Sequence, residues 1–416
     1  MKRIFQGLGC ALLAAACHVG NATDLTFWSW RVEDKAFYDQ VAKNYKKISG
    51  DDVKFTAYKN TEYPTVVSAA LAGGGGADII HTRAYGGLSN LSDAGYLVPL
   101  TTASVPNLAK FSEDTLVGAR GHKPPHDKAV YGVPFATQSL GILYNRQLLA
   151  ANGVATPPKT WDEFKAVCRQ LKAKGVIPLA NGAKEAPILE QMFGIVGPNH
   201  YGGTDYFKGV MSGRKAFTDP EFVSAIDEVV SLREFMPPNA LGIGENDSRT
   251  LFAGGMAEFF LTGTWNIDAV KEVNAKLDFD IMPAPPLKAG GPTWVSTFAD
   301  GNYSVNASSK NREAALKFLN YLASKEFGQL FTDELRQTSA VPEARSTDKV
   351  LAGIGQATRE HGTPFLMLVG FRYQNPNGSV LLRDGLQKLM QGQGTSLKLA
   401  QDIQTGLASW HKPFQK

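Results

Sequence analysis

The chain has 416 residues, with 43 Lys and Arg against 39 Asp and Glu, a formal charge of +4, and 43% hydrophobic residues. So close a balance excludes a long-range pull toward nucleic acid or anionic lipid, and no run of like charges restores one locally. The length exceeds what one core usually supports, so two domains are expected, of ordinary globular composition.

At the N-terminus, Lys2 and Arg3 precede an apolar stretch from Gly7 to Ala16 and the small-residue site Gly20-Asn21-Ala22. That is the layout of a secretory signal, so residues 1–22 are read as a signal peptide and the protein as exported to the periplasm. The stretch is too short for a permanent anchor, and no later segment approaches the ~20 apolar residues of a spanning helix. A second reading makes Leu13-Ala14-Ala15-Ala16-Cys17 a lipoprotein cleavage site, although Ala14 stands where a larger aliphatic residue is usual. Cys10 and Cys17 fall within the signal, which leaves Cys168 alone, without a disulfide partner. It shares a helical stripe with Trp161, Phe164 and Leu171, the position of a buried and inert thiol.

Leu25 and Phe27 open a strand-like run. Phe37, Val41, Tyr45 and Ile48 recur at helical spacing up to Gly50, and Val53, Phe55 and Ala57 alternate with polar residues as a half-buried strand. Val66, Val67, Ala70 and Leu71 predict a helix that stops at Gly73-Gly74-Gly75-Gly76, before the apolar Ile79-Ile80. This β-α-β-α-β order predicts a parallel sheet with helices on its faces. The pattern recurs after a strand-like crossing at 131–144. Thr160-Trp161-Asp162-Glu163 is a capping box, Ala314 to Leu322 a further amphipathic helix, and the last sixty residues read as mainly helical. The fold class is therefore α/β, with two lobes joined by crossing strands.

Most catalytic signatures fail. The four glycines lead from a helix into a strand and no Lys-Ser/Thr follows, so a helix cap is preferred to a phosphate loop. Gln138-Ser139-Leu140-Gly141 lacks the first glycine of a nucleophile elbow. His122 and His126 flank Pro124 and Pro125, which bars the helix that would align them on a metal. Glu258, Asp300 and Glu245 offer paired carboxylates, but such choices are nearly free among 39 acids. No catalytic residue, metal or cofactor is assigned.

Aromatic residues interleaved with polar ones follow three successive strands: Trp28-Ser29-Trp30-Arg31, Lys59-Asn60-Thr61-Glu62-Tyr63 and His81-Thr82-Arg83-Ala84-Tyr85. In open α/β sheets the ligand crevice lies at such strand ends. A flat apolar face with hydrogen-bonding neighbours suits a pyranose ring, which stacks and offers hydroxyls. Core packing is the competing account for each aromatic residue taken singly.

The chain resembles the family 1 extracellular solute-binding proteins of bacterial ABC importers, the maltose-binding-protein-like, sugar-binding type. The likeness rests on Ala69 to Ile80 with Leu97-Val98-Pro99-Leu100, on Tyr131-Gly132-Val133-Pro134-Phe135 with Leu143-Tyr144-Asn145, and on Pro158 to Phe164. Phe252 to Ala257 running into Gly263-Thr264-Trp265, Pro283-Ala284-Pro285-Pro286 and Ala314 to Leu319 add to it. The resemblance implies a type II periplasmic binding protein of Venus-flytrap architecture, a monomer whose lobes close on a ligand delivered to permease subunits. Its lobes are expected at 23–135 plus about 287–335, and at 136–286 plus about 336–416, with a crossing near Phe135-Ala136-Thr137-Gln138. It further implies binding positions at Trp28, Trp30, Arg31, Arg83, Tyr85, Gln138, Trp265, Trp294, Asp300, Asn302, Arg372 and Tyr373, with Glu33 a weaker candidate. Tyr63, from the second strand's loop, completes the set.

Three other readings stand beside a sugar. Glycerol phosphate or another anion suits Arg31, Arg83 and Arg372. Iron(III) suits Tyr63 and Tyr85 but lacks His or carboxylate partners. An exported glycosidase lacks any catalytic motif.

Overall fold

The computed structural model describes residues 22–124 and 126–415. The expected signal, with Cys10 and Cys17, thus lies outside the described residues except for Ala22. Among the described residues nine strands form one mixed sheet: β1 (Asp24–Ser29), β2 (Asp52–Ala57), β3 (Ile79–Arg83), β4 (Val133–Asn145), β5 (Ile177–Leu179), β6 (Ala257–Gly263), β7 (Phe279–Met282), β8 (Val295–Val305) and β9 (Gly362–Pro364). Their order is β2-β1-β3-β8-β4-β6-β5, with β7 on β4 and β9 on β8.

The predicted β-α-β-α-β unit is present. β1 pairs in parallel with β2 and β3, through the helices Lys35–Ser49 and Tyr63–Ala72. The first helix buries Phe37, Tyr38, Val41 and Tyr45 and stops at Gly50, whose φ of +85° needs no Cβ. Ile48, placed on the same stripe by its spacing, is 70% exposed, because periodicity does not say where the supporting surface ends. Gly73 donates to the Ala69 carbonyl, and Gly74 and Gly76 take φ of +71° and +101° as the chain turns into β3. The glycine run is a helix cap.

β4 is the crossing. Its residues 133–139 pair antiparallel with β8, and residues 140–145 pair with β6 and β7, so one strand belongs to both lobes. β8 returns beside it, and the chain passes a third time where Thr137 N donates to the Thr338 carbonyl and Ala340 N to that of Phe135. The cores place the boundaries differently from the sequence expectation. Leu287 packs on the second lobe's core and Val295 on a cluster shared with Ile281 and Val350, while Ala340 and Val341 belong to the first lobe's core. The return therefore falls within β8, and the third passage, beside β4 at 337–341, stays on the first lobe's core as far as Val341.

In the second lobe Thr160 accepts the Glu163 N–H at 3.2 Å. Glu163 reaches back one residue further than a capping box would, to the Lys159 N–H at 2.8 Å. Cys168 is fully buried, and burial pushes its thiol pKa up, as an inert core position requires. Helices Lys349–His361, Gly378–Met390 and Ser396–Ala408 fill most of the C-terminal segment. No described helix is long and apolar enough to cross a membrane.

Candidate functional site

The loops after β1 and β3 converge on the crossing strands at one carboxylate. Asp300 of β8 accepts from Arg31 Nη1 at 3.0 Å, Arg83 Nη1 at 3.4 Å and Gln138 Nε2 at 3.3 Å. Arg31 also pairs with Asp34, and its Nη2 donates to Gln337 Oε1 at 3.1 Å, an oxygen that Gln138 Nε2 shares at 3.0 Å. Thr264, beyond the end of β6, donates to Gln138 Oε1 at 2.6 Å. The cluster therefore ties both lobes to all three passages of the chain, and satisfied networks of this kind hold a geometry rigidly.

Its cations are neutralised unequally. Arg31 is 3% exposed; burial works to lower its pKa, but Asp34 and Asp300 outweigh it and hold the guanidinium above its ordinary value. Arg83 has a side chain 36% exposed. Its guanidinium lies 3.6 Å from the centroid of the Trp30 ring and donates to Asn60. Burial, with Arg31 and Arg372 nearby, draws Arg83 down to about 10 against the pull of Asp300, so it stays charged at neutral pH.

The second lobe supplies Trp265 at the end of β6. Its ring crosses Gly263, where a Cβ would lie 1.9 Å from it, and its Nε1 donates to Glu245 Oε1 at 2.9 Å. Asn266 Nδ2 donates to the same oxygen at 3.0 Å, and Phe298 of β8 faces the ring edge at 6.3 Å. Trp265 is half-buried and packs in part on the second lobe's core.

Arg372 donates through Nη2 to Glu190 Oε2 at 2.9 Å and through Nε to Ser379 Oγ at 2.6 Å. Arg383 reaches the same Glu190 oxygen. Burial and Arg383 lower the Arg372 pKa against the pull of Glu190. The neighbouring Tyr373 stacks on His122 of the first lobe, ring centroids 4.3 Å apart and planes 20° from parallel.

Several residues chosen from the sequence have other work. Trp30 is 4% exposed, packed among Tyr63, His81 and Phe135 under Arg83, so its faces are taken. Tyr63 is 3% exposed and donates to the carbonyls of Trp28 and His81, which makes it a strut between strands and leaves no phenolate for iron. Tyr85 is buried and accepts the Ala299 N–H at 3.0 Å, at a strained φ of +58°. Trp28 is half-buried against Tyr58. Asn302 is fully buried and donates to the Gly118 carbonyl. Trp294 donates from its backbone to Asn199 and rests its ring on Gly203, at the end of β8 away from Asp300.

The carboxylates considered for hydrolysis do not meet. Glu258 accepts from Asn145 at the far end of β4 from the Gln138–Asp300 contact. His126 bonds Tyr131, and no group of three or more metal-ligating residues occurs among the described residues. Sequence reasoning missed Asp34, Glu190, Phe298 and Gln337. It weighed Glu245 and His122 for other roles, and Asn60 stood in a loop already singled out.

A family model described as bacterial extracellular solute-binding protein matches residues 29–329. A multiple sugar-binding protein of Streptococcus mutans is 23% identical over 351 residues, covering 78% of each chain. A lactose-binding protein of Rhizobium radiobacter is 24% identical over 340 residues, 77% of this chain and 76% of its own. Among solved structures, a chitin oligosaccharide binding protein matches with a TM-score of 0.80 at 22% identity, covering 94% of this chain and 100% of that one.

Proposed function

The chain belongs to the bacterial extracellular solute-binding proteins, and from that premise we propose that it binds a neutral saccharide between its lobes, without turnover, and delivers it to membrane permease subunits. The observation that carries the ligand class is the state of the arginines. Arg31 and Arg372, which a phosphate would need, each already hold a buried protein carboxylate, and Arg83 shares Asp300. A second anion would have to break those pairs and leave a carboxylate unmatched, at a cost of several kcal/mol. A sugar hydroxyl accepts from an arginine or donates to its carboxylate without displacing either. The half-buried Trp265 beside Glu245 supplies a stacking face next to an acceptor, the pairing a pyranose uses.

The names of the two relatives, one multiple-sugar-binding and one lactose-binding, and of the chitin oligosaccharide receptor support the same class. Export to the periplasm by the N-terminal segment, and a monomeric state, complete the proposal. Galactose, lactose, raffinose and chitobiose are to be compared with glycerol 3-phosphate by thermal shift. A ligand at 100 times its Kd adds about 2.7 kcal/mol of stability. At least one sugar is expected to shift the melting temperature and to be recovered intact after prolonged incubation, while glycerol 3-phosphate has no effect; a shift from the phosphate alone would sink the reading.

A further inference from the structure

Across the cleft, the lobes meet in a wall on the flank where β3 ends. An added Cβ on Gly86, the first residue of helix Gly86–Asp93, would sit 2.1 Å from the carbonyl oxygen of Arg372, so the two backbones are in direct contact. Beside them His122 of the first lobe and Tyr373 of the second are stacked at 4.3 Å.

Both sides of this wall are anchored. On the second lobe Phe371 is fully buried against Phe217, and the Arg372 guanidinium is held by Glu190 and Ser379, of which Glu190 is 1% exposed. On the first, the Tyr85 N–H bonds the Gly118 carbonyl, and the His122 N–H bonds Asp93 at 3.2 Å. The other flank is crossed by the Arg336–Asp268 ion pair, from the end of the first lobe's helix Lys325–Leu335 to the second lobe. Tyr85, next to Gly86, accepts the N–H of Ala299, the neighbour of Asp300, so the wall adjoins the polar cluster.

We infer that Tyr373 and His122 are specificity-determining residues that set an upper limit on ligand length, so that the site takes a short saccharide and the wall excludes a longer one while the lobes are closed. The inference rests on the saccharide reading. A ligand extending past the wall must separate two stacked rings and a backbone contact, and so forgoes closure on that flank. A flexible loop would move aside cheaply, whereas this wall is tied to a buried carboxylate and a core phenylalanine.

The test is titration calorimetry with two length series, galactose through melibiose and raffinose to stachyose, and glucose through maltose to maltotetraose, on the wild type, Tyr373→Ala and His122→Ala. His122 lies in an exposed loop, so its replacement leaves the fold unthreatened even if that of Tyr373 does not. In at least one series the longest member is expected to bind the wild type at least tenfold more weakly than the best short member. Each substitution is expected to shrink that ratio at least threefold. Equal affinity along the bound series in the wild type, or a ratio that neither substitution changes, overturns the wall. Failure of all these sugars to bind folded wild type overturns the saccharide reading and the inference together, whereas sugar binding with one unchanged length profile in all three proteins removes the wall alone.

Discussion

Two glutamates of the second lobe are equally hidden from water and meet opposite fates. Glu190, behind the cleft wall, is 1% exposed and holds Arg372, Arg383 and Ser379. Burial alone would raise its pKa, but the two arginines outweigh it and keep the carboxylate below its ordinary range. Glu258, near the start of β6, is fully buried with one N–H, from Asn145, on one oxygen and no partner on the other. Burial pushes its pKa up to about 9, so it is neutral at pH 7. The difference teaches where this protein invests charge. Ionised side chains are held out of water where the lobes meet, and the core keeps its stray carboxyl protonated.

The comparison breaks most sharply at Glu190. Its replacement by Gln removes the carboxylate that the Arg372 and Arg383 guanidinium groups share, side chains that are 24% and 23% exposed. Stability should fall by about 3 kcal/mol, near the low end for a broken buried pair because the arginines still reach some solvent. Urea denaturation measures it; a loss under 1 kcal/mol would show the cluster to be solvated and the comparison misdrawn.

Glu258→Gln probes the other side, and its sign is opposite. A carboxyl whose folded pKa stands above its unfolded value of 4.5 binds its proton more tightly when folded, so its contribution to stability is lost as pH rises from about 4.5 toward 9. The wild type should therefore lose stability across that window relative to the variant, by about 2 kcal/mol between pH 5 and pH 6.5. Parallel stability–pH curves for the two proteins would mean that Glu258 is ionised and partnered in solution.

Gly86→Ala moves the comparison to ligand binding. The position is exacting because of the Arg372 carbonyl, and it lies at a helix start that accepts Ala. The variant should keep its melting temperature yet bind sugar at least tenfold more weakly, since tenfold corresponds to about 1.4 kcal/mol of impaired closure. Unchanged affinity would show that the wall does not form in the bound state.

Much of this fold is written locally. The stripe of Phe37, Val41 and Tyr45, the glycines that cap a helix before Ile79, and Thr160 before Trp161 act within a few residues, so spacing and caps reveal them. The crossing was legible as a strand-like run at 131–144, close to the observed Val133–Asn145. The site was only partly legible. An aromatic residue after a strand reads the same whether it stays partly exposed, as Trp265 does, or packs fully into the core, as Trp30 and Tyr63 do. The pairs that neutralise these arginines join distant segments, Arg31 to Asp300 across 269 positions and Glu190 to Arg372 across 182, and no local pattern records them.

The smallest effect concerns the opposite flank, and it separates two ways of holding lobes together. There the contact is an ion pair, Arg336 with Asp268, whose side chains are 43% and 16% exposed, in place of the backbone contact at Gly86. Arg336 projects from a left-handed position at φ +46°, a conformation a non-glycine residue takes at a cost and one that aims it across the hinge. Water reaches the arginine freely, so the pair is worth at most about 1 kcal/mol. Asp268→Asn should accordingly weaken sugar binding by threefold or less. The loss should shrink further in 0.5 M salt, where the screening length is only about 4 Å. Salt should leave the Gly86→Ala defect untouched, because steric exclusion is not screened. A salt-dependent defect at Gly86, or a salt-independent one at Asp268, would reverse the assignment of contact type between the flanks.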